Sequence, residues 1–205
     1  MNIEKAKDID IEHVALLHRE YINTGFLSSL GSPFLKLIYQ SMVSSNNAFC
    51  IVAIEKRNII GFISGAIDVG GFYKDFLRMN FIKVSAILLP KILNLQFVKK
   101  IIETLLYPAR KEQNLPEAEL LGIVVDKNYR GEGIAQKLFK KLEEEFRSRD
   151  IKQFKIATGE SLVRAQRFYE SLGAEKAASI EVHRGQKTIV YVYRIVGKAS
   201  PTEHC

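Results

Sequence analysis

Two glycines in the turn Arg130-Gly131-Glu132-Gly133 stand between a strongly apolar run and an amphipathic stretch with helical spacing. The first turn of a helix leaves backbone N–H groups without internal partners, and the helix dipole adds partial positive charge there. Glycines allow a phosphate to approach that backbone closely. Lys127, Arg130 and Lys137 add positive charge around the turn. The pattern therefore suits a pyrophosphate, although a tight turn that binds no ligand has the same pattern.

A dinucleotide-binding fingerprint is the competing interpretation of these glycines, because Asp150 follows about 20 residues later. It fits poorly, since Gln136 stands where the third glycine belongs. Residues 126–130 also separate the glycines from the apolar run, whereas the fingerprint begins directly after its strand. The dinucleotide fingerprint is therefore not favoured, and a tight turn without a ligand stays open beside another kind of phosphate-binding turn.

The segment Asn128-Tyr129-Arg130-Gly131-Glu132-Gly133 resembles the acyl-CoA loop of the GNAT-type acyl-CoA N-acyltransferases, Gln/Arg-x-x-Gly-x-Gly/Ala. A second motif of that family, Ala-x-x-x-Tyr-x-x-x-Gly, is similar to residues 165–173, with Tyr169 at the tyrosine position. Asn128 and Leu162 differ from the residues that are usual at their positions. The order of elements agrees with the family from residue 2 to about 195, apart from one long insertion.

The resemblance implies that acetyl-CoA is the co-substrate and that the primary amine of a small molecule attacks it directly in a ternary complex. It implies these cofactor-binding residues: Ile123, Val124, Val125, Arg130, Gly131, Glu132, Gly133, Ile134, Ala135 and Tyr169. It also places the Tyr169 phenol near the thioester sulfur, where it can protonate the departing thiolate. Core packing beside Phe168 is the alternative role for this ring.

The proton acceptor for the amine is less well defined. Glu119 begins the strand that leads to the glycine turn, and the resemblance makes it a candidate general base. By alternation, its side chain is predicted to share a face with Leu121, Ile123 and Val125. A solvated glutamate at the end of a strand is the alternative. Glu160 and His183 are further candidates for the base.

The acceptor site is predicted beneath the apolar loop 25–31 and the insertion, which makes Phe26, Leu27 and Ser28 candidate substrate-binding residues. Burial of this loop against the insertion is an equally good interpretation. Amino sugars, small amines, amino acids and protein N-termini all remain open as acceptors, because a fold does not determine a substrate. No metal site is predicted, since the four histidines are scattered along the chain.

The elements that position these residues predict an α+β protein. Strands are predicted at 3–9, 48–55, 59–68, 119–125, 152–158, 176–183 and 187–195. Helices are predicted from Asp10, which would cap the first of them, and from Ser32-Pro33, where the Ser32 hydroxyl would be the cap. Two more are predicted over 133–149 and 162–172. The resemblance arranges them as a GNAT fold, a central mixed, mostly antiparallel sheet flanked by helices. A net-basic helical insertion, 70–114, is predicted between the third and fourth strands.

The composition agrees with one domain over residues 1–196 and a flexible tail over 197–205. A hydrophobic content of 47% allows a substantial core, and the formal charge of +7 is compatible with a polyphosphate-bearing cofactor. Nucleic-acid binding is not predicted, because the basic residues are not interleaved with aromatic residues in a recognisable module. Cys50 and Cys205 are not expected to form a disulfide, so a cytoplasmic location is the simplest expectation.

The insertion leaves other functions open. A non-catalytic acyl-CoA-binding sensor is one alternative. Docking on a membrane surface or a partner through the basic insertion is another. Packing or homodimerisation by the insertion ranks above membrane contact. A membrane span is not predicted, because lysines interrupt the apolar stretch between Phe81 and Pro108.

Overall fold

The computed structural model describes residues 1–22, 26–91, 115–183 and 186–195. Its strands are β1 Asn2–Lys5, β2 Ala48–Glu55, β3 Asn58–Ala66, β4 Glu119–Val125, β5 Gln153–Gly159, β6 Glu175–His183 and β7 Gln186–Arg194. They form one sheet in the order β1-β2-β3-β4-β5-β7-β6. Neighbouring strands are antiparallel except for β4 and β5, which are parallel. The predicted mixed, mostly antiparallel sheet is confirmed.

Helices cover both faces of this sheet. They are α1 Ile11–Tyr21, α2 Phe26–Ser29, α3 Ser32–Val43, α4 Val69–Leu88, α5 Ile134–Ser148 and α6 Val163–Ser171. The buried side chains of α1, α3 and α4 pack in one hydrophobic core, and we call that side of the sheet the α1 face. Those of α5 and α6 pack in a second core on the opposite side, which we call the α5 face.

The two cores explain why β2 reads as an unbroken apolar run rather than an alternating one. Cys50 and Val52 point into the core of the α1 face, whereas Phe49 and Ile51 point into that of the α5 face. A strand covered on both sides needs apolar residues at every position. Cys50 is buried in this strand.

The first strand ends earlier than predicted, at Lys5 instead of Ile9. Residues 8–10 form a 3-10 turn, and the Asp10 carboxylate accepts a hydrogen bond from the Lys7 N–H at 2.8 Å. Asp10 is the N-cap residue of α1, as predicted, but its carboxylate closes the preceding turn and makes no capping hydrogen bond with α1.

Two details near α3 also differ from the prediction. The N-cap residue is Gly31, and the Ser32 hydroxyl instead accepts a hydrogen bond from Arg19 Nη1 at 2.9 Å. Pro33 lies in the first turn of α3, as predicted. The stretch predicted as a loop over 25–31 contains the single helical turn α2. An apolar run of this length can bury side chains in a short helix, which removes the need for an irregular loop.

The first part of the predicted insertion is α4, which follows β3 and is capped by Asp68, whose carboxylate accepts a hydrogen bond from the Gly71 N–H at 2.8 Å. Its inner side is buried through Val69, Phe72, Phe76 and Val84. Its outer side exposes Met79, Phe81 and Ile82. Residues 92–114 and the predicted tail 197–205 lie outside the described residues. None of the described helices is long and apolar enough to cross a membrane.

Candidate active site

The parallel strands β4 and β5 pair only at their first steps, Glu119 with Lys155 and Leu120 with Ile156. Beyond these steps β4 stays paired with β3 up to Val125, and β5 stays paired with β7 up to Gly159. The two strands therefore separate and leave a wedge-shaped opening in the sheet, which we call the fork. Ligands of open sheets with parallel strands bind at the carboxyl ends of such strands.

The inner edges of the fork carry backbone groups without a strand partner in the described part of the chain. On β4 these edges belong to residues 121–125, and on β5 to residues 157–159. Backbone N–H and C=O groups require hydrogen-bond partners. An extended ligand with amide groups can supply them in the manner of an added strand.

A bulge in β4 determines which way its side chains point. Ser64 pairs with Gly122, but Gly65 pairs with Leu120, so Leu121 is an extra residue in β4. An extra residue reverses the alternation of the side chains that follow it.

The bulge changes the predicted environment of Glu119. Glu119 is in register with Ala66, which belongs to the core of the α1 face. Ile123 and Val125 pack against the core of the α5 face instead, whereas Val124 joins the α1 face. The prediction that Glu119 shares a face with Ile123 and Val125 was wrong, because alternation was assumed to continue through Leu121.

The glycine turn lies at the open end of the fork, after β4. Gly131 and Gly133 have φ angles of 90° and 74°, which favour glycine. A Cβ placed on either residue would meet no other atom within 4 Å, so both face open space. No side chain caps α5, and its first internal hydrogen bond in the ladder runs from Lys137 N–H to the Gly133 carbonyl at 3.1 Å. The N–H groups of the first turn thus remain free to bind an anion.

The end of α1 supports this turn through Tyr21. The Tyr21 hydroxyl accepts a hydrogen bond from the Lys127 N–H at 3.3 Å, and the Arg130 guanidinium lies 4.9 Å from the centre of the Tyr21 ring. Arg130 Nε also donates to the Val125 carbonyl at 3.0 Å. Helical spacing with Val14 and Leu17 indicates only that Tyr21 lies on the apolar side of a helix, because contacts between distant segments leave no local pattern.

Tyr169 lies on α6 at the level where the fork begins. Its ring centre is 6.4 Å from that of Tyr191, which is in register with Ile156, the last residue of β5 that pairs with β4. Tyr169 is buried in the core of the α5 face, and this burial raises the pKa of its phenol above its usual range. Its hydroxyl makes no hydrogen bond with the residues that the structure describes. The ring also packs on Phe168, with 5.5 Å between the ring centres.

Glu119 lies at the closed end of the fork, on the opposite face from Tyr169. It is only 6% exposed, so the alternative of a solvated strand-end glutamate was wrong. Burial raises the pKa of Glu119 to about 7, and the ammonium group of Lys155 opposes that rise. Lys155 Nζ lies 3.7 Å from Glu119 Oε2, within the distance of an ion pair. The burial of Tyr73 on α4, together with the charge of Glu119, raises the pKa of the Tyr73 phenol.

The other candidate bases lie elsewhere. Glu160 is exposed in the turn after β5, at the open end of the fork, where its N–H donates to the Lys187 carbonyl at 3.0 Å. His183 is in register with Gln186 at the tip of the β6–β7 hairpin, and its side chain is outside the described residues. The structure therefore places Glu119 alone among these candidates at the closed end of the fork.

The residues predicted to bind the acceptor follow α1, whose last residues lie beside the fork. Ile22, at the end of α1, has its Cδ1 3.5 Å from the position that a Cβ on Gly122 would occupy. The Ser28 hydroxyl donates to the Ile22 carbonyl, and Leu27 packs against the core of the α1 face. Phe26 begins α2, and its side chain is outside the described residues. The described contacts of Leu27 and Ser28 are structural, and contact with a substrate stays a prediction.

A buried polar chain crosses the α1 face near the bulge. The Tyr39 hydroxyl and His18 Nδ1 are 2.7 Å apart, and a hydrogen bond from Ser64 partly offsets the effect of burial on the pKa of Tyr39. Burial lowers the pKa of His18 to about 4, so the imidazole is neutral at physiological pH. Among the described residues, no group of three or more His, Cys, Asp or Glu side chains could hold a metal ion.

Comparison with known proteins gives a family match over most of the chain. The model of the acetyltransferase (GNAT) family matches residues 16–174. No curated protein sequence matches this chain.

Several solved structures have the same fold. An aminoglycoside 6′-N-acetyltransferase in complex with coenzyme A is 13% identical, covering 98% of this chain and 100% of its own, with a TM-score of 0.60. An N-acetyltransferase from Staphylococcus aureus is 12% identical, covering 95% and 98%, with a TM-score of 0.62. A ribosomal-protein-alanine N-acetyltransferase from Brucella melitensis is 14% identical, covering 95% and 99%, with a TM-score of 0.60.

Proposed function

Because this chain belongs to the acetyltransferase (GNAT) family, we propose that it transfers an acetyl group from acetyl-CoA to the primary amine of a small molecule. One observation carries the proposal. The glycine turn lies at the open end of the fork, while Glu119 and Tyr169 lie at its closed end on opposite faces of the sheet. A phosphate-bearing co-substrate bound along the fork would bring its reactive end between a proton acceptor and a proton donor.

Binding of acetyl-CoA uses the backbone of the turn and of β4. The free N–H groups of residues 131–135 hold the pyrophosphate, and the open space above Gly131 and Gly133 admits it. The unpaired edge of β4 at Ile123–Val125 pairs with the amides of the pantetheine arm. Arg130 adds positive charge at the rim.

The chemistry at the closed end requires two proton transfers. The Glu119 carboxylate takes a proton from the acceptor amine, directly or through water, as the amine nitrogen bonds to the thioester carbon. The bond between that carbon and sulfur then breaks, and the Tyr169 hydroxyl donates its proton to the departing thiolate. The products are an amide and coenzyme A, and no covalent bond to the protein forms.

The environments of these two groups agree with their roles. With a pKa of about 7, the Glu119 carboxylate is basic enough to accept a proton at neutral pH. Burial keeps the Tyr169 phenol protonated, so it is available as a proton donor. Both side chains are also buried, which strengthens the electrostatic interactions there.

The acceptor approaches from the α1 face. On this side α4 brings Tyr73 towards Glu119, and Ile22 at the end of α1 lies over β4 beside the bulge. A site enclosed in this way favours a small molecule over a folded protein. Fold alone leaves the acceptor open.

The test measures coenzyme A release from acetyl-CoA against a panel of amino sugars, polyamines, amino acids and N-terminal peptides. We expect thiol release with at least one small amine, together with the acetylated amine in the mass spectrum of the products. Binding of acetyl-CoA without thiol release from any amine would support the sensor alternative. Absence of both binding and release would contradict the proposal.

A further inference from the structure

Lys155 is the residue of β5 that faces Glu119 at the closed end of the fork. The two residues are direct partners in the parallel pairing, and the Lys155 N–H donates to the Ala118 carbonyl at 2.9 Å. Glu119 is anchored on its other side by its pairing with Ala66. The 3.7 Å between Lys155 Nζ and Glu119 Oε2 therefore follows from the backbone of two adjacent strands. An ion pair on exposed, flexible side chains has no such support.

Both members of the pair are removed from solvent. The side chains of Lys155 and Glu119 are 16% and 8% exposed. Burial of a charged pair costs desolvation energy, and two apolar residues at such a position would often be as stable or more so. Folding stability is therefore a weak explanation for the presence of this ion pair, and a role in the reaction is a stronger explanation.

In the described part of the chain, few charged groups other than that of Lys155 face the Glu119 carboxylate. Among the described residues, the titratable groups that face this carboxylate are Lys155 from β5 and Tyr73 from α4. The neighbour from β3, Ala66, carries no charge. Tyr73 is neutral at physiological pH, because its phenol pKa is raised. The positive charge beside Glu119 is thus supplied by β5.

We propose that Lys155 is a positioning residue for acetyl transfer, which holds the Glu119 carboxylate at the closed end of the fork and favours its ionised form. The inference rests on the proposed function, in which ionised Glu119 accepts the proton of the amine. A buried carboxylate without a cation takes up a proton and is then unable to accept another. Lys155 lies beside Glu119 at the closed end of the fork, so its effect is expected at that end.

Two substitutions separate charge from packing. Lys155→Met removes the ammonium group and keeps an unbranched chain, whereas Lys155→Arg retains the charge. An opposite charge within about 4–6 Å lowers a carboxyl pKa by roughly 1–3 units, so its removal raises the pKa by a similar amount. We expect the titration midpoint of Glu119 to rise by at least about one pH unit in Lys155→Met and to stay in place in Lys155→Arg. Lys152→Met, which removes an exposed lysine just before β5, is the matched control and should leave the midpoint unchanged.

The midpoint is read directly by carbon-13 NMR of protein labelled at the glutamate carboxyls, with Glu119→Gln to assign the signal. The acid limb of kcat/KM should move upwards with the midpoint in Lys155→Met, while KM for acetyl-CoA stays unchanged. An unchanged midpoint in folded Lys155→Met would overturn the inference, and so would an equal loss of kcat at every pH. Lys155→Gln provides a second neutral variant if the methionine variant does not fold.

The two readouts distinguish this inference from the proposed function. If the wild-type protein acetylates no amine, the proposed function fails, and the NMR titration still decides whether Lys155 controls the ionisation of Glu119. If the protein is active and the midpoint does not respond to Lys155, only the inference fails.

Discussion

The Tyr21 hydroxyl accepts a hydrogen bond from the backbone N–H of Lys127, so the last residue of α1 supports the turn that precedes the glycines. The ring of the same tyrosine lies beneath the Arg130 guanidinium. Tyr21 therefore connects the α1 face, where the acceptor is expected, with the proposed binding loop for the co-substrate.

Loss of the Tyr21 hydroxyl should weaken binding of coenzyme A. Tyr21→Phe removes one hydrogen bond of about 0.5–1.5 kcal/mol and keeps the ring, which corresponds to roughly a 2- to 10-fold increase in Kd. Isothermal titration calorimetry measures this change. Tyr193→Phe removes a hydroxyl that donates to Glu143 at 3.3 Å outside the fork, and it should leave the Kd unchanged. Equal effects of the two substitutions would argue against a role for Tyr21 in the loop.

Tyr169→Phe should separate an enzyme from a sensor. Removal of a proton donor typically lowers turnover on the order of 100-fold. The phenyl ring preserves core packing, so we expect the affinity for coenzyme A to change less than about twofold. Steady-state thiol release and calorimetry on the same preparation measure both quantities. Unchanged turnover in Tyr169→Phe would show that this hydroxyl is not the proton donor.

Glu119→Gln should reduce activity and increase stability. The pKa of about 7 in the folded protein lies above the ordinary glutamate value of 4.5, so the stability associated with the protonated carboxyl is present below pH 4.5 and is lost as the pH rises through 7. Glutamine does not ionise. At pH 8 the free energy of unfolding of the variant should therefore exceed that of the wild type by on the order of 3 kcal/mol.

Urea unfolding of wild type and Glu119→Gln at pH 4.5 and at pH 8 measures this difference, which should be small at the lower pH. Because His18 is present in both proteins, its own titration cancels in the comparison. Glu160→Gln changes an exposed carboxylate and should affect neither stability nor turnover. A stability difference that is the same at both pH values would contradict the raised pKa of Glu119.

His18 and Tyr39 should behave as a coupled pair. Tyr39→Phe leaves the buried His18 Nδ1 without its partner, which should cost about 1–3 kcal/mol in the free energy of unfolding. In the double variant with His18→Phe, the loss should be smaller than the sum of the single losses by roughly 0.5–3 kcal/mol. Urea unfolding of the four proteins measures the coupling, and additive losses would contradict the hydrogen bond.

Local patterns in the sequence predicted most of the fold. Glu119–Val125 was predicted with the bounds that the structure has, because a continuous apolar run between polar residues leaves little choice. The bulge at Leu121 could not be predicted, since it depends on the register of β4 against β3. The C-terminal end of the first strand and the N-cap of α3 were predicted wrongly. The Asp10 carboxylate accepts a hydrogen bond from Lys7 in the turn after the strand, and the Ser32 hydroxyl accepts one from Arg19 instead of a helix N–H group.

The sequence predicted only the part of the candidate site that lies in local motifs. The glycine turn and Tyr169 lie in short motifs, so their spacing alone identifies them. Lys155 and Tyr21 were missed, because each acts through a residue that is distant in the sequence. Lys155 stands between the buried Phe154 and Ile156, and alternation predicts only that it points to the other face of the sheet.

The most direct test of the account is binding of coenzyme A to variants of the glycine turn. Gly131→Ala and Gly133→Ala place a methyl group in the open space where the pyrophosphate would lie. Gly173→Ala is the matched control, because Gly173 has a φ angle of 92°, equally open surroundings and a position outside the turn. All three substitutions should cost roughly 1 kcal/mol of stability through backbone strain.

We expect calorimetry to show binding of coenzyme A to the wild type, a Kd at least about tenfold higher in Gly131→Ala and Gly133→Ala, and an unchanged Kd in Gly173→Ala. Wild-type protein that does not bind coenzyme A, or turn variants that bind it as tightly as the wild type, would contradict the account.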